Sequence, residues 1–286
     1  GRARVVHLHN NPAYAVALRR GGYRGTIVQH LHNDPVDGVR SATARRGSSI
    51  TVAEVLAAVD AWVFCSAHLA AVAERELGLT GTVVVPNGGT VLDAEPIAHE
   101  RADVVRIAFA GRLIPEKGAA DALAAVAELA ARRPVRFDVY GGKAPGASRG
   151  ESPYTRALRA DAAQLQERHP GSTARIRGFV TPEVLSAQLA RCDVFLYPCR
   201  WDEPFGMVLL DAMSVGTPVV TVARGGIPEI VHEGSGGVLL AAGATASELA
   251  AAVESVVDDP GYTRRRLAAR RVAVEDFGWD AIAAQL

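Results

Sequence analysis

The chain has 286 residues, enough for two domains of ordinary size, each with its own core. Its 31 lysines and arginines balance 31 aspartates and glutamates, so composition gives no footprint of a nucleic-acid partner. No apolar run has the length of a membrane span, and the opening residues do not read as a secretory signal, so peripheral contact is the membrane role left open.

Short β-branched runs alternate with Ala- and Leu-rich stretches, the pattern of an α/β protein with mainly parallel sheets. In the first part, strands are expected at Arg4–Leu8, Thr26–Leu31, Ala61–Cys65 and Thr82–Val85, and helices at Ala13–Arg19, Val52–Val59 and Leu69–Leu77. The polar Asp34–Ser49 stretch reads as a mobile loop. A hinge-like segment with little periodicity runs from Pro86 to about Asp103. Alternation then restarts, with strands expected at Val105–Ala110, Val135–Tyr140, Ala174–Gly178, Val194–Tyr197 and Pro218–Val222. The intervening helices are expected at Gly118–Ala131, Pro153–Glu167, Pro182–Ala190, Gly206–Val215 and Ile227–Val231, with two more after Thr245 and Gly261. The expected architecture is two doubly wound, Rossmann-like domains, at 1–100 and 101–272, and a closing helix begins in 273–286. Cys65, Cys192 and Cys199 lack metal-ligand spacing and sit among apolar residues, as expected of buried free thiols in a reducing, cytoplasmic compartment.

Three stretches carry candidate chemistry. In Phe109-Ala-Gly111-Arg112-Leu-Ile-Pro115-Glu-Lys117-Gly118 a strand ends, a glycine permits a tight turn, and a helix is expected to begin near Pro115 or Glu116. Two cations beside such a helix start suit a diphosphate; solvated charges on an ordinary strand–loop–helix account for the same residues. In Trp201-Asp-Glu203-Pro-Phe205-Gly206-Met207…Asp211 two carboxylates flank the start of an apolar helix. The bare N–H groups at that start favour an anion, and the carboxylates can bind hydroxyls. An acidic N-cap and a solvated Asp211 form the plainer reading. In Gln29-His30-Leu-His32-Asn-Asp-Pro35, strand alternation puts His30 and His32 on one face, His32 nearer the carboxyl edge. A zinc pair is conceivable there, but two histidines without further ligands make poor metal sites. Gly141-Gly142 and Gly178-Phe179-Val180 mark further strand ends, as turns or as points of close approach.

Together with Asp193-Val-Phe-Leu-Tyr-Pro198, Gly225-Gly-Ile-Pro-Glu229-Ile-Val231, Val84-Val-Pro86-Asn-Gly88 and Trp279, these motifs resemble glycosyltransferase family 4, retaining enzymes of the GT-B fold. Asn10-Asn-Pro12 with His32-Asn-Asp-Pro35 is also similar to the spore-coat-type subgroup. The resemblance implies that Arg112 and Lys117, beside Gly111, bind the diphosphate of a sugar-nucleotide donor. It implies that Glu203 and the backbone N–H groups of Phe205, Gly206 and Met207 hold the donor sugar and phosphate. Asp211 would take the ribose hydroxyls, Val180 after Gly178 would meet the nucleobase, and His32 would face the transferred sugar across an interdomain cleft. The family has glutamate where Asp211 stands, one methylene longer. The glycine-rich loop that opens the family's first domain has no counterpart, so that domain reads as incomplete at its N-terminus.

The reaction expected from the resemblance moves a glycosyl group from a nucleoside diphosphate sugar, a UDP-sugar by family frequency, to an acceptor hydroxyl. No metal or other cofactor is expected, because Arg112, Lys117 and the helix start would stabilise the leaving diphosphate. A sugar-nucleotide epimerase of the same architecture and a non-catalytic nucleotide-sugar or glycan-binding protein are the rival readings. A dehydrogenase fits less well, since no Gly-x-Gly-x-x-Gly strand–helix turn is present. Arg40, Arg45 and Arg46 either line an acceptor site or are solvated loop charges.

Overall fold

The computed structural model describes residues 3–44, 49–89, 103–142 and 151–285. They form two units, Gly1–Asn87 with Ile282–Leu286, and Gly88–Ala281. Each is described in turn.

The first unit runs β1 (Val5–His9), α1 (Ala13–Arg20), β2 (Thr26–Leu31), α2 (Pro35–Thr43), α3 (Val52–Ala58), β3 (Ala61–Phe64), α4 (Ala67–Leu77) and β4 (Val83–Val84). The strands pair in parallel in the order β1-β2-β3-β4. Ile27, Leu31, Val63 and Phe64 are buried, as expected for strands covered on both faces by crossover helices. Part of the stretch expected as a loop is helical: α2 is capped by Asp34, whose carboxylate accepts the Asp37 N–H at 2.9 Å, and Pro35 stands in its first turn. Aspartate cap and first-turn proline are both helix-start features, and Pro35, Val39 and Ala42 are buried one helical turn apart. Arg40 lies exposed in the last turn of α2, whereas Arg45 and Arg46 lie outside the described residues. Most of the hinge-like segment falls outside them too.

The second unit continues with β5 (Val105–Ala110), a 3-10 turn (Pro115–Lys117), α5 (Ala119–Ala130), β6 (Val135–Tyr140), α6 (Pro153–Arg168), β7 (Thr173–Gly178) and α7 (Pro182–Leu189). After β8 (Val194–Tyr197) come α8 (Met207–Ser214), β9 (Val219–Val222), α9 (Ile227–Ile230), β10 (Val238–Leu240), α10 (Ala246–Val257) and α11 (Tyr262–Arg271). A π-helical turn, Val272–Asp276, leads to α12 (Trp279–Ala283), the helix carrying Trp279, whose last two residues belong to the first unit. The strands pair in parallel in the order β10-β9-β8-β5-β6-β7. Strand β10 was not expected.

That order decides where a ligand can sit. From β5 the chain builds outward through β6 and β7, then returns to place β8 on the other flank of β5. Loops leaving the adjacent carboxyl ends of β5 and β8 diverge and open a crevice, the usual ligand position in a doubly wound sheet. The β5 loop carries Arg112 and Lys117; the β8 loop carries Glu203. Strand β8 is buried at every position, and Thr221 on neighbouring β9 donates its hydroxyl to the Tyr197 carbonyl at 2.7 Å, fixing the strand end that launches the Glu203 loop.

Candidate active site

Two glycines let the loops around the crevice interlock. Gly118, in a left-handed conformation (φ 80°), lies so close to the β8 loop that a Cβ there would fall 2.0 Å from the Pro198 carbonyl oxygen. Alongside, the Arg200 N–H donates to the Glu116 carbonyl at 2.8 Å. The turn holding Lys117 is thereby joined to the loop holding Glu203. Gly225 (φ 58°) does the same from behind, since a Cβ there would lie 2.2 Å from the Glu203 carbonyl oxygen. Next to it, the Gly226 N–H donates to that carbonyl at 2.7 Å.

The interlocked loops bring Lys117 and Glu203 together. Lys117 Nζ lies 2.5 Å from Glu203 Oε2, with both side chains largely withdrawn from water. Tyr197 Oη and Trp201 Nε1 each donate to the same oxygen at 2.9 Å, and Cys199 Sγ approaches it at 3.5 Å. Among the described residues no donor reaches Oε1, so one carboxylate oxygen is anchored and the other has no protein donor. Burial alone would raise the Glu203 pKa. The Lys117 ammonium and the three hydrogen bonds from Lys117, Trp201 and Tyr197 outweigh it and hold the carboxyl below its ordinary value. Glu203 in turn pushes the pKa values of Tyr197 and Cys199 up, adding to the effect of burial, so both stay protonated donors; the Cys199 thiol lies at about 11.

The expected helix start at Pro115 or Glu116 is corrected. A 3-10 turn stands there, and α5 begins only at Ala119. Lys117 is therefore the buried last residue of a turn, and its charge is directed at Glu203. The exposed Arg112 guanidinium lies 5.5 Å from the Trp201 ring centre, and Lys117 Nζ lies 4.5 Å from it. Trp201 thus carries both cations on its ring and donates to the carboxylate, a role the sequence reading did not assign. Arg112 has no carboxylate partner among the described residues.

A cavity of about 280 Å³ opens beside Arg112, lined by Gly111, Tyr140, Gly141, Val180 and Val208 among others. Gly141 is indispensable: a Cβ there would lie 1.8 Å from the Gly111 carbonyl oxygen. Gly178 has a different reason. Nothing lies within 4 Å of its would-be Cβ, but its φ is 78°, a left-handed turn that aims the following Phe179-Val180 at the cavity. Its carbonyl accepts from the Gly141 N–H at 2.8 Å, so the ends of β6 and β7 form one rim.

Helix α8 begins at the crevice with Gly206 (φ 114°) as its N-cap, and no side chain caps it. That disposes of the acidic-cap reading of Glu203 and Asp202. Phe205 is buried and meets Phe277 edge-on at 5.6 Å, which fixes the entry into the helix, while Met207 stays exposed. Asp211 lies one turn after Val208, the residue of α8 that lines the cavity. Its carboxylate has no hydrogen-bond donor among the described residues, and burial pushes its pKa up to about 6.

His32 belongs to the first unit. It follows β2, and its N–H donates to Asn10 Oδ1 at 2.8 Å. Its ring stacks on His30 at 4.2 Å, as strand alternation implies, and is fixed by Asn87 Oδ1 at 2.7 Å from Nδ1. Burial, with His9 and His7 nearby, lowers the His32 pKa against the opposing bond to Asn87, so the ring is neutral at pH 7. Cys65, Cys192 and Cys199 are free and buried, as expected. No helix of the described residues is long and apolar enough to cross a membrane.

Residues 95–271 match the family model of Glycosyl transferases group 1. The chain is 32% identical over 305 residues to a glycogen synthase of Mycobacterium tuberculosis, a match that takes in 98% of this chain and 66% of that protein's length. It is also 32% identical over 110 residues to spore coat protein SA of Bacillus subtilis, covering 38% of this chain and 29% of that protein. Among solved structures, Anabaena HepE in complex with UDP and glucose is similar at a TM-score of 0.74 and 21% identity, over 99% of this chain and 76% of that one. The parallel sheets and this likeness identify the fold as GT-B, and with the family match they bear out the resemblance carried by the sequence motifs. The chain belongs to the glycosyl transferases group 1 family.

Proposed function

We propose that this protein transfers a glycosyl group from a nucleoside diphosphate sugar, of which UDP-glucose is the first candidate, to an acceptor hydroxyl with retention at the anomeric carbon. The observation that carries the reading is the arrangement around Glu203. A carboxylate anchored through one oxygen stands beside Lys117, with Arg112 and the uncapped start of α8 next to a cavity lined by strand-end glycines. The donor base is chosen because Anabaena HepE has been solved with UDP-glucose as well as with UDP and glucose.

In this reading the nucleobase enters the cavity against Gly141 and the Val180 backbone, and the ribose hydroxyls reach Asp211. The diphosphate lies between Arg112, Lys117 and the N–H groups opening α8. Glu203 Oε1 takes hydroxyls of the donor sugar. His32 is assigned to the transferred sugar by family resemblance. As the bond from the anomeric carbon to the diphosphate lengthens, negative charge grows on the leaving oxygen. Positive charge already fixed there stabilises it without reorganisation, so the reaction needs no metal or other cofactor. The acceptor hydroxyl attacks from the face the leaving group vacates and gives its proton to the departing phosphate oxygen. Glu203, hydrogen-bonded and paired with Lys117, positions the sugar rather than forming a covalent bond to it. Three buried free thiols fit a reducing, cytoplasmic setting.

The test is turnover of UDP-glucose with a panel of hydroxyl acceptors, following UDP release and the anomeric configuration of the product by proton NMR. An α-linked product from the α-linked donor is expected, and Lys117→Ala should lower turnover by about 10²–10³-fold. A β-linked product would overturn retention. Unchanged turnover in Lys117→Ala would remove the phosphate assignment, and free epimerised sugar nucleotide formed without acceptor would establish the epimerase instead.

A further inference from the structure

Four histidines gather at the carboxyl ends of β1 and β2. The parallel register sets His9 opposite His30, and the two-residue period of each strand puts His7 with His9 and His30 with His32 on one face of the sheet. Ring centres of His7 and His9 are 4.6 Å apart, those of His9 and His32 5.1 Å. One ring nitrogen from each of His7, His9 and His30 lies within 4.8 Å of the other two.

Hydrogen bonds decide which ring nitrogens carry lone pairs. Asn87 Oδ1 can only accept, so His32 Nδ1 donates to it, and His32 Nε2 is left to accept from His9 Nδ1 at 2.8 Å. His9 therefore presents Nε2 as a lone pair. His30 bonds to the Val85 backbone, and its Nε2 is buried with no hydrogen-bond partner. His30 is only 5% exposed, and a polar atom left unsatisfied at such depth is unfavourable until something binds it. Binding one ring nitrogen to an acceptor so that the other is a bare lone pair is how proteins prepare a histidine for a metal. His7 and His9 are exposed and give an ion a way in.

We propose that His7, His9 and His30 bind one late first-row divalent cation of the zinc class, with the fourth position open to water. Three neutral imidazoles match the preference of such ions for nitrogen, and hard oxygen-seeking cations such as magnesium lack the carboxylates they need. Zinc–nitrogen bonds of about 2.0–2.1 Å place tetrahedral ligand atoms roughly 3.4 Å apart, so small rotations of the exposed rings of His7 and His9 close the site. The ion would pin His9, and through it the tautomer of His32. The proposal does not depend on the donor-site reading.

The experiment is calorimetric titration of the 286-residue chain with zinc sulfate at pH 7.5, beside His7→Ala, His7→Gln, His9→Ala and, as a control at an exposed histidine elsewhere, His232→Ala. One zinc per chain is expected, weakened by about tenfold or more in each His7 and His9 variant and unchanged in His232→Ala. Cobalt(II) in place of zinc should give the intense visible bands of a four-coordinate site, absent from His7→Gln. Circular dichroism identifies the variants whose fold is intact, and the two His7 variants cover for each other. Absence of one-to-one binding by the unaltered chain, or wild-type affinity in folded His7 and His9 variants, would overturn the proposal.

Discussion

Two carboxylates eight positions apart on one loop and helix have their pKa values shifted in opposite directions. Glu203 is kept ionised by Lys117, Tyr197 and Trp201, whereas burial without a donor pushes Asp211 up to about 6. Their effects on stability have opposite signs. An aspartate whose folded value lies above its unfolded value of about 3.9 destabilises the fold when ionised. That destabilisation is complete above pH 6, fades as pH falls, and is gone below about pH 4. Asp211→Asn is therefore expected to raise unfolding free energy at pH 7 by about 1–3 kcal/mol, to lose that advantage near pH 4, and to bind donor more weakly. Denaturant titrations at pH 7 and pH 4 check it; a gain equal at both would refute the burial account. For Glu203 the depressed value means stability present above its ordinary pKa and lost as pH falls through the folded one. Glu203→Gln should flatten that acid limb below about pH 4.5.

At the scale of elements, close backbone approach determines the site as much as the charged residues do. Gly225→Ala places a Cβ against Glu203 backbone at a left-handed position, and should destabilise by about 2–4 kcal/mol while lowering donor affinity. Denaturant unfolding with calorimetry separates the two effects. Asp34→Ala should cost about 1 kcal/mol by uncapping α2, measurable by the same unfolding titration. Strands β5, β6 and β8 were legible because short runs rich in β-branched and aromatic residues, broken only by Arg106, Arg136 and Asp138, stand between glycines and helical stretches. Helix α2 was not, because Gly38, Ser41 and Thr43 dilute the apolar spacing of Pro35, Val39 and Ala42, although Asp34-Pro35 carried the start signal. Strand β10 escaped because it is three residues long and only partly buried. The site residues were legible as motifs, but their partners were not. Lys117 and Glu203 are 86 positions apart, and no local pattern states that a strand order with β8 beside β5 will pair them. Gly225 entered only as part of a family-like motif, and the fold reveals that it lies against Glu203.

For the whole molecule, the family assignment rests on the second unit, where the matched residues 95–271 fall and where the crevice between β5 and β8 lies. The proposed donor site draws its diphosphate, ribose and base contacts from that unit's own loops, so the proposal can be tested by donor binding to this chain. Binding of UDP-glucose by isothermal titration, with the unaltered chain and with Arg112→Ala, is the most direct test. The unaltered chain should bind one UDP-glucose, and Arg112→Ala, which removes an exposed cation without a carboxylate partner among the described residues, should weaken binding about tenfold or more with stability unchanged. No binding by the unaltered chain, or equal binding by both, would contradict a sugar-nucleotide site at Arg112, Lys117 and Glu203.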